Sequence, residues 1–246
     1  MYIVRSGETE DPRRRELIRA LAAGLFSSGF LPGSALSQGV FGGRPAKLPP
    51  GQSIYRLTGD VQVNDKLATL QTPIGPNDTI QTGKDGEIVY VVGENSFILR
   101  SGSRVTLESP DRQSLLLSGF RIVTGAMLSV FPRKRSLKLA TQTATIGIRG
   151  TGVYLEAEPK RTYFCTCYGV AEVAATNDQQ SKEIVSATHH DKPLYILADE
   201  QPGRNIRRAP FINHTDQELS LIETLVGRTP PFVFPKDDYT GPRREY

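Results

Sequence analysis

Two cysteines stand two residues apart in Tyr163-Phe164-Cys165-Thr166-Cys167-Tyr168-Gly169, and the chain holds no others. The aromatic and β-branched residues around them read as a strand. On a strand, positions i and i+2 share a face and lie about 6.6 Å apart along the chain. A disulfide needs Cα atoms within about 4.4–6.8 Å and converging Cβ vectors, so a relaxed strand holds these thiols side by side without easily joining them. Two parallel thiols at that spacing can close on one soft metal ion with little backbone movement. All three histidines, His189, His190 and His214, fall downstream of the cysteines. Cys165 and Cys167 with the pair His189 and His190 make a ligand set for a Zn or Cu ion, since thiolate and imidazole suit both. Three uses of the cysteines stay open: metal or redox chemistry, a strained disulfide, and inert packing in a core. On an alternating strand His189 and His190 face opposite ways, so one of them would reach the thiols. His214 precedes a helix cap, a place that favours local packing or solvation.

Other chemistry-bearing patterns weaken on inspection. Gly147, Gly150 and Gly152 follow a strand, but their spacing is wrong for a dinucleotide fingerprint and no helix N-terminus follows to receive a phosphate. They fit a tight turn or bulge between two strands. Glu156 and Glu158 share one strand face, which a solvated polar face explains. No Ser-His-Asp signature, phosphate-binding loop, haem attachment motif or Gly-x-Ser-x-Gly element is present, so the chain reads as a non-enzyme.

The elements that must position these residues are short strands. With 23 glycines and 17 prolines in 246 residues, turn punctuation is frequent. Net charge is +4, from 30 basic and 26 acidic residues. That is a far smaller excess than a nucleic-acid interface carries, so nucleic acid is excluded as a partner. The cluster Arg133, Lys134, Arg135 and Lys138 reads as a solvated turn and strand end. From Ser53 onward, alternating runs sit between turn signals: Glu87–Val92, Ser96–Arg100, Arg104–Glu108, Leu115–Phe120, Ala126–Phe131, Ser136–Thr141, Gly152–Glu158, Thr162–Tyr168 and Val170–Ala175. Such spacing predicts an all-β sandwich or barrel, and the absence of strand-helix-strand alternation counts against a parallel sheet. A polar loop is expected over Thr176–Ser181 and a strand over Ile184–Leu197. Thr215-Asp216-Gln217-Glu218 is a capping box, and Leu219, Ile222, Leu225 and Val226 follow at helical spacing. One short helix is therefore predicted over 216–226, ended by Gly227 and Pro230. It is too short to persist alone in water and must dock its apolar stripe on the sheet.

The run Ile146-Gly147-Ile148-Arg149-Gly150-Thr151-Gly152-Val153, after Ala140–Thr145, resembles the hallmark of the FecR domain family. Softer elements agree: Gly59-Asp60, Gln81-Thr82-Gly83, Gly93-Glu94-Asn95-Ser96 and Thr124–Phe131. The resemblance covers roughly Gly59 to Ala175, with Gly147, Arg149, Gly150 and Thr151 as its structural motif. It implies a jelly-roll-like antiparallel β-sandwich with a signalling or interaction role. FecR regulators carry a cytoplasmic anti-sigma segment and a membrane helix before this domain, and the residues ahead of it here read differently.

Arg14-Arg15-Glu16-Leu17-Ile18-Arg19 resembles a twin-arginine export signal, which implies export of an already folded protein. Ala20–Leu31 follows; about 12 helical residues span only about 18 Å, short of a bilayer core of about 30 Å, but suit a signal-peptide core. Ala35-Leu36-Ser37 would serve as a cleavage site. The expected organisation is a signal peptide at 1–37, a Gly/Pro-rich linker at 38–52, a FecR-like β domain at 53–176 and an extension at 177–246 with strands, one helix and a Pro-rich tail. The mature product is expected in the periplasm without a membrane span. Two function classes remain: a non-catalytic module binding a periplasmic protein or cell-envelope ligand, and a metal- or redox-binding protein built on Cys165 and Cys167.

Overall fold

The computed structural model describes residues 45–111, 115–133, 135–198 and 201–232. The expected leader with Arg14 and Arg15, the first part of the expected linker and the residues beyond Phe232 lie outside the described residues. Among the described residues, fourteen strands and one helix follow in chain order. The strands are β1 (Ile54–Thr58), β2 (Val61–Val63), β3 (Lys66–Leu67), β4 (Thr79–Thr82), β5 (Glu87–Val92), β6 (Asn95–Leu99), β7 (Arg104–Glu108), β8 (Gly119–Val130), β9 (Ser136–Ala140), β10 (Ala144–Ala157), β11 (Arg161–Ala175), β12 (Asp178–Ala187), β13 (Leu194–Leu197) and β14 (Ile206–Arg208). The helix is α1 (Asp216–Leu225). The protein is all-β with one short C-terminal helix, and among the described residues every strand pairing is antiparallel except β8 with β9.

Three long strands, β8, β10 and β11, build the sandwich because each changes partner along its length. The second half of β10 pairs with β8 and its first half with β9. The first half of β11 pairs with β13 and its second half with β12. Two layers result. One runs β1-β5-β6-β8-β10-β11-β13-β14. The other runs β3-β2-β4-β7-β8-β9-β10-β11-β12 and shares the three long strands. Between them lies the main core, with Tyr90, Phe97, Phe120, Phe131, Val153, Leu155 and Phe164 buried in it. Phe97 stacks on Tyr90 at 4.8 Å and meets Phe120 and Phe131 edge-on at 5.9 Å.

The glycines of the family-like motif permit the change of partner. Register shifts between Arg149 and Gly152, where β10 turns from β9 toward β8. Gly150 adopts φ +60°, and a Cβ there would lie 2.6 Å from the Arg133 Cα. A Cβ at Gly152 would lie 2.5 Å from the Tyr168 ring. The glycines thus form a bulge inside one continuous strand rather than a turn between two. Thr151 is fully buried, while Gly147 and Arg149 face outward. Gly59-Asp60 and Thr82-Gly83, distant in sequence, meet where the Gly83 N–H donates to the Asp60 carbonyl at 2.8 Å.

Two local expectations are corrected. The polar segment after Ala175 is a tight hairpin, and β12 begins at Asp178. The strand expected over Ile184–Leu197 is broken at its centre, because the Asp191 carboxylate accepts from the Thr188 N–H at 2.6 Å, the Thr188 hydroxyl at 3.0 Å and the His189 N–H at 3.3 Å. Those bonds close a turn, so β12 and β13 are separate strands.

The outer face of the first layer carries a second apolar cluster: Val89, Ile98, Leu128, Val130, Tyr154, Tyr163, Cys165, Cys167 and Tyr168. α1 covers it with Leu219, Ile222 and Leu225, all buried. Full burial of each such side chain is worth about 1.5–3 kcal/mol. Thr215 caps the helix, accepting from the Glu218 N–H at 3.3 Å while Glu218 accepts from the Thr215 N–H at 3.0 Å. Arg100, between Glu87 at 2.9 Å and Glu218 at 2.6 Å, ties the helix to the sheet. Tyr168 and Glu223 are hydrogen-bonded, and Leu48 donates from its N–H to the Leu225 carbonyl at 2.9 Å.

Candidate metal centre

Residues 162–168 of β11 are buried on both faces, because the main core lies on one side and the helix layer on the other. Phe164 points into the main core, and Tyr163, Cys165 and Cys167 share the helix-facing side. Both cysteines are free thiols at 0% exposure.

The turn after β12 delivers one histidine to them. His190 adopts φ +54°, and its N–H donates to the Cys167 carbonyl at 2.9 Å. This left-handed residue swings the His190 ring inward against Phe211, with centroids 4.4 Å apart. The His190 side chain is 8% exposed, whereas that of His189 is 45% exposed. The second imidazole comes from the segment before α1. Tyr163 anchors this segment: its hydroxyl donates to the Pro210 carbonyl at 3.0 Å and accepts from the Ile212 N–H at 3.3 Å. His214 then stacks on Tyr154 at 4.5 Å and is 2% exposed.

Cys165, Cys167, His190 and His214 offer one donor atom each, all within 4.8 Å of one another. The outer ring nitrogens fix both tautomers. His214 Nδ1 lies 2.7 Å from the Ile212 carbonyl oxygen. That oxygen can only accept, so Nδ1 carries the proton and Nε2 presents a lone pair inward. His190 Nε2 lies 3.0 Å from Asp216 Oδ1. Donation to this carboxylate leaves Nδ1 facing the thiols, the carboxylate–histidine arrangement common around metal ligands. His190 Nδ1 and His214 Nε2 then stand 3.1 Å apart, and Cys165 Sγ lies 3.5 Å from His190 Nδ1.

Two neutral imidazoles with lone pairs face to face repel unless a cation or a shared proton sits between them. Zinc bonds of about 2.0–2.1 Å to nitrogen and about 2.3 Å to sulfur give tetrahedral edges of about 3.3 Å for N···N and about 3.6 Å for N···S. The two distances found are close to those edges. Two thiols and two imidazoles are also the donor types of structural zinc sites.

Without a bound metal, the electrostatics favour a thiolate at Cys165 beside a protonated His190. Burial opposes ionisation of Cys165, but its polar neighbours Cys167, His190 and His214 outweigh it and hold the thiol well below its usual range. Burial and the neighbouring Cys165 push Cys167 up. Burial opposes protonation of His190, yet the Asp216 carboxylate and Cys165 raise it. Asp216 is held low by His190 and His189 against the effect of burial.

Of the four ligands expected from sequence, Cys165, Cys167 and His190 come together. His189 is directed instead to Asp216, with Nε2 2.9 Å from Oδ2. The fourth donor is His214, for which the sequence reading expects local packing or solvation. The usable signal was its place one residue ahead of the Thr215 cap of a helix that must dock on the strand face bearing the cysteines.

No family model matches the chain, and no curated protein matches it. Among solved structures, two crystal structures of a protein provisionally named an anti-sigma factor from Parabacteroides distasonis ATCC 8503, at 1.65 and 2.50 Å resolution, are similar. Each aligns with 53% of this chain and 58% of its own, at 13% identity and a TM-score of 0.41. The chain therefore matches less than two thirds of the length of those proteins.

Proposed function

We propose that this chain is an exported, non-catalytic β-sandwich module of the cell envelope, FecR-like in role, that holds one structural zinc ion through Cys165, Cys167, His190 and His214. The observation that carries the metal reading is the convergence of four donor atoms, three of them on buried residues and the fourth on the partly buried His190, from three separate segments of chain within 4.8 Å. All four ligands come from protein, which closes the coordination sphere and favours a structural ion over a catalytic one, since catalytic zinc keeps an open position. The mixed thiolate and imidazole set favours Zn over Cu. A bound ion also protects both thiols in an oxidising compartment. The periplasmic location rests on the twin-arginine-like leader, and the interaction role on the resemblance of Ile146–Val153 to the FecR motif.

Cys165, His190 and Asp216 also form a thiol–imidazole–carboxylate chain, at 3.5 and 3.0 Å, of the kind that activates a nucleophile. An acyl substrate would have to reach a sulfur that is 0% exposed between β11 and the helix layer. That burial favours the metal reading.

Zinc content and iodoacetamide labelling together separate the two. The metal centre predicts close to one zinc per wild-type chain, near none in a Cys165→Ser/Cys167→Ser double variant, and thiols that zinc shields from alkylation. A nucleophile predicts rapid labelling of Cys165 in the folded protein whether or not zinc is present.

A further inference from the structure

His214, Thr215 and Asp216 are consecutive, and each has a different task at the same place. His214 Nε2 faces the thiol pair, Thr215 caps α1, and Asp216 opens the helix while accepting from His190 at 3.0 Å. The metal centre and the start of the helix are therefore one unit. From this geometry we infer that metal occupancy governs whether residues 209–226 dock on the sheet: the ion is a latch for α1. The inference rests on the metal reading above and assigns that site a regulatory task, with a zinc-class divalent cation as the ligand.

A ten-residue helix is marginal on its own in water, so α1 exists because it is docked. Its other ties include the apolar contacts of Leu219, Ile222 and Leu225, the Arg100–Glu218 ion pair, the Tyr168–Glu223 hydrogen bond and the Leu48 N–H bond to the Leu225 carbonyl at 2.9 Å. The segment from Ala209 to His214 is held through the Tyr163 hydroxyl, an Asn213–Glu156 hydrogen bond, the Ala209 N–H bond to the Pro193 carbonyl at 2.9 Å and packing of Phe211 and Ile212 on the outer cluster. Removing the cation leaves two thiols and two imidazoles confined together, with their donor atoms turned toward one another and away from water. Lifting His214 and His190 off β11 restores hydration to those atoms, and α1 leaves with His214.

The sandwich does not depend on this layer. The main core between the two sheets contains none of the four ligands and nothing from α1. Release of the latch exposes the apolar face of Val89, Ile98, Leu128, Val130 and Tyr154 while the β layers persist. Ligand and helix also obey reciprocity: if zinc favours docking, loss of docking must weaken zinc by the same factor.

The test is amide hydrogen exchange on the full chain, zinc-loaded and after dialysis against EDTA, with zinc content measured on the same samples. The expected result is at least a tenfold loss of protection across 214–226 in the metal-free protein, with β5 and β6 unchanged. An Ile222→Ser variant, which weakens docking and touches no ligand, should bind zinc several-fold more weakly. Bound zinc with equal protection of α1 in both states overturns the latch and leaves the metal centre standing. Loss of protection throughout the sandwich also overturns it, since the ion would then hold the whole fold. Absence of zinc from the loaded sample removes both readings.

Discussion

His190 Nδ1 and His214 Nε2 point at each other across 3.1 Å, and each ring has its other nitrogen committed elsewhere, to Asp216 and to the Ile212 carbonyl. Two histidines from distant segments are thus oriented in opposite senses, one through Nδ1 and one through Nε2, to present lone pairs to the same point as Cys165 and Cys167. A metal cation between the rings, or a proton shared by His190 Nδ1 and His214 Nε2, relieves that approach.

The ligand set predicts an ordered mutational series. His190→Ala and His214→Ala should each weaken zinc by more than the roughly 10- to 100-fold typical of an outer partner. His189→Ala should change it little, because that ring bonds Asp216 from the exposed side. Competition with a chromophoric chelator gives the order. A larger loss for His189→Ala than for His214→Ala would contradict the ligand assignment.

Asp216 should act through His190. Asp216→Asn keeps the helix start but cannot accept from His190 Nε2 with the strength of a carboxylate, so zinc affinity is expected to drop about 10- to 100-fold. Nitrogen-15 chemical shifts of the His190 ring should show the altered tautomer in the metal-free protein. Unchanged affinity together with unchanged ring shifts would remove Asp216 from this role.

The bulge in β10 should be costly to remove. Gly150→Ala places a Cβ in the left-handed region and against the Arg133 backbone, for an expected loss of about 2 kcal/mol or more in urea unfolding. Gly147→Ala, where the nearest atom to an added Cβ is 3.9 Å away, should be far milder. Equal effects at the two positions would show that the partner change of β10 does not depend on Gly150.

These residues also show what a linear reading can and cannot recover. The sandwich was legible because turn residues punctuate alternating strands, and the helix because Thr215 and Glu218 sign its start. Continuous strands were read as pieces where a glycine interrupts the pattern: Gly169, at φ +93°, divides the expected runs 162–168 and 170–175 within β11. Cys165 and Cys167 were legible as a pair because strand period alone puts them on one face. His214 was not, since its partner set is made by docking of the helix layer, a contact that no local pattern encodes. The choice of His190 over His189 follows from a left-handed turn residue, where a continuous strand was expected.

Acid should destabilise the hairpin region through Asp178. Its carboxylate accepts from the Ser181 hydroxyl at 2.6 Å, the Asn205 amide at 2.9 Å, the Gly203 N–H at 2.7 Å and the Gln180 N–H at 3.0 Å. These bonds, that of Ser181 foremost, hold it well below the usual carboxylate range. With the folded value depressed below an unfolded value of about 3.9, its contribution is fully present above that pH and is lost as pH falls toward the folded value. Asp178→Asn should flatten the pH dependence of unfolding below about pH 4. An unaltered slope would show that other carboxylates dominate.

Elemental analysis of desalted, zinc-equilibrated protein tests the central claim most directly. The account predicts close to one zinc per wild-type chain, retained by His189→Ala and lost by Cys165→Ser/Cys167→Ser. Equal zinc in the wild type and the double cysteine variant would contradict it.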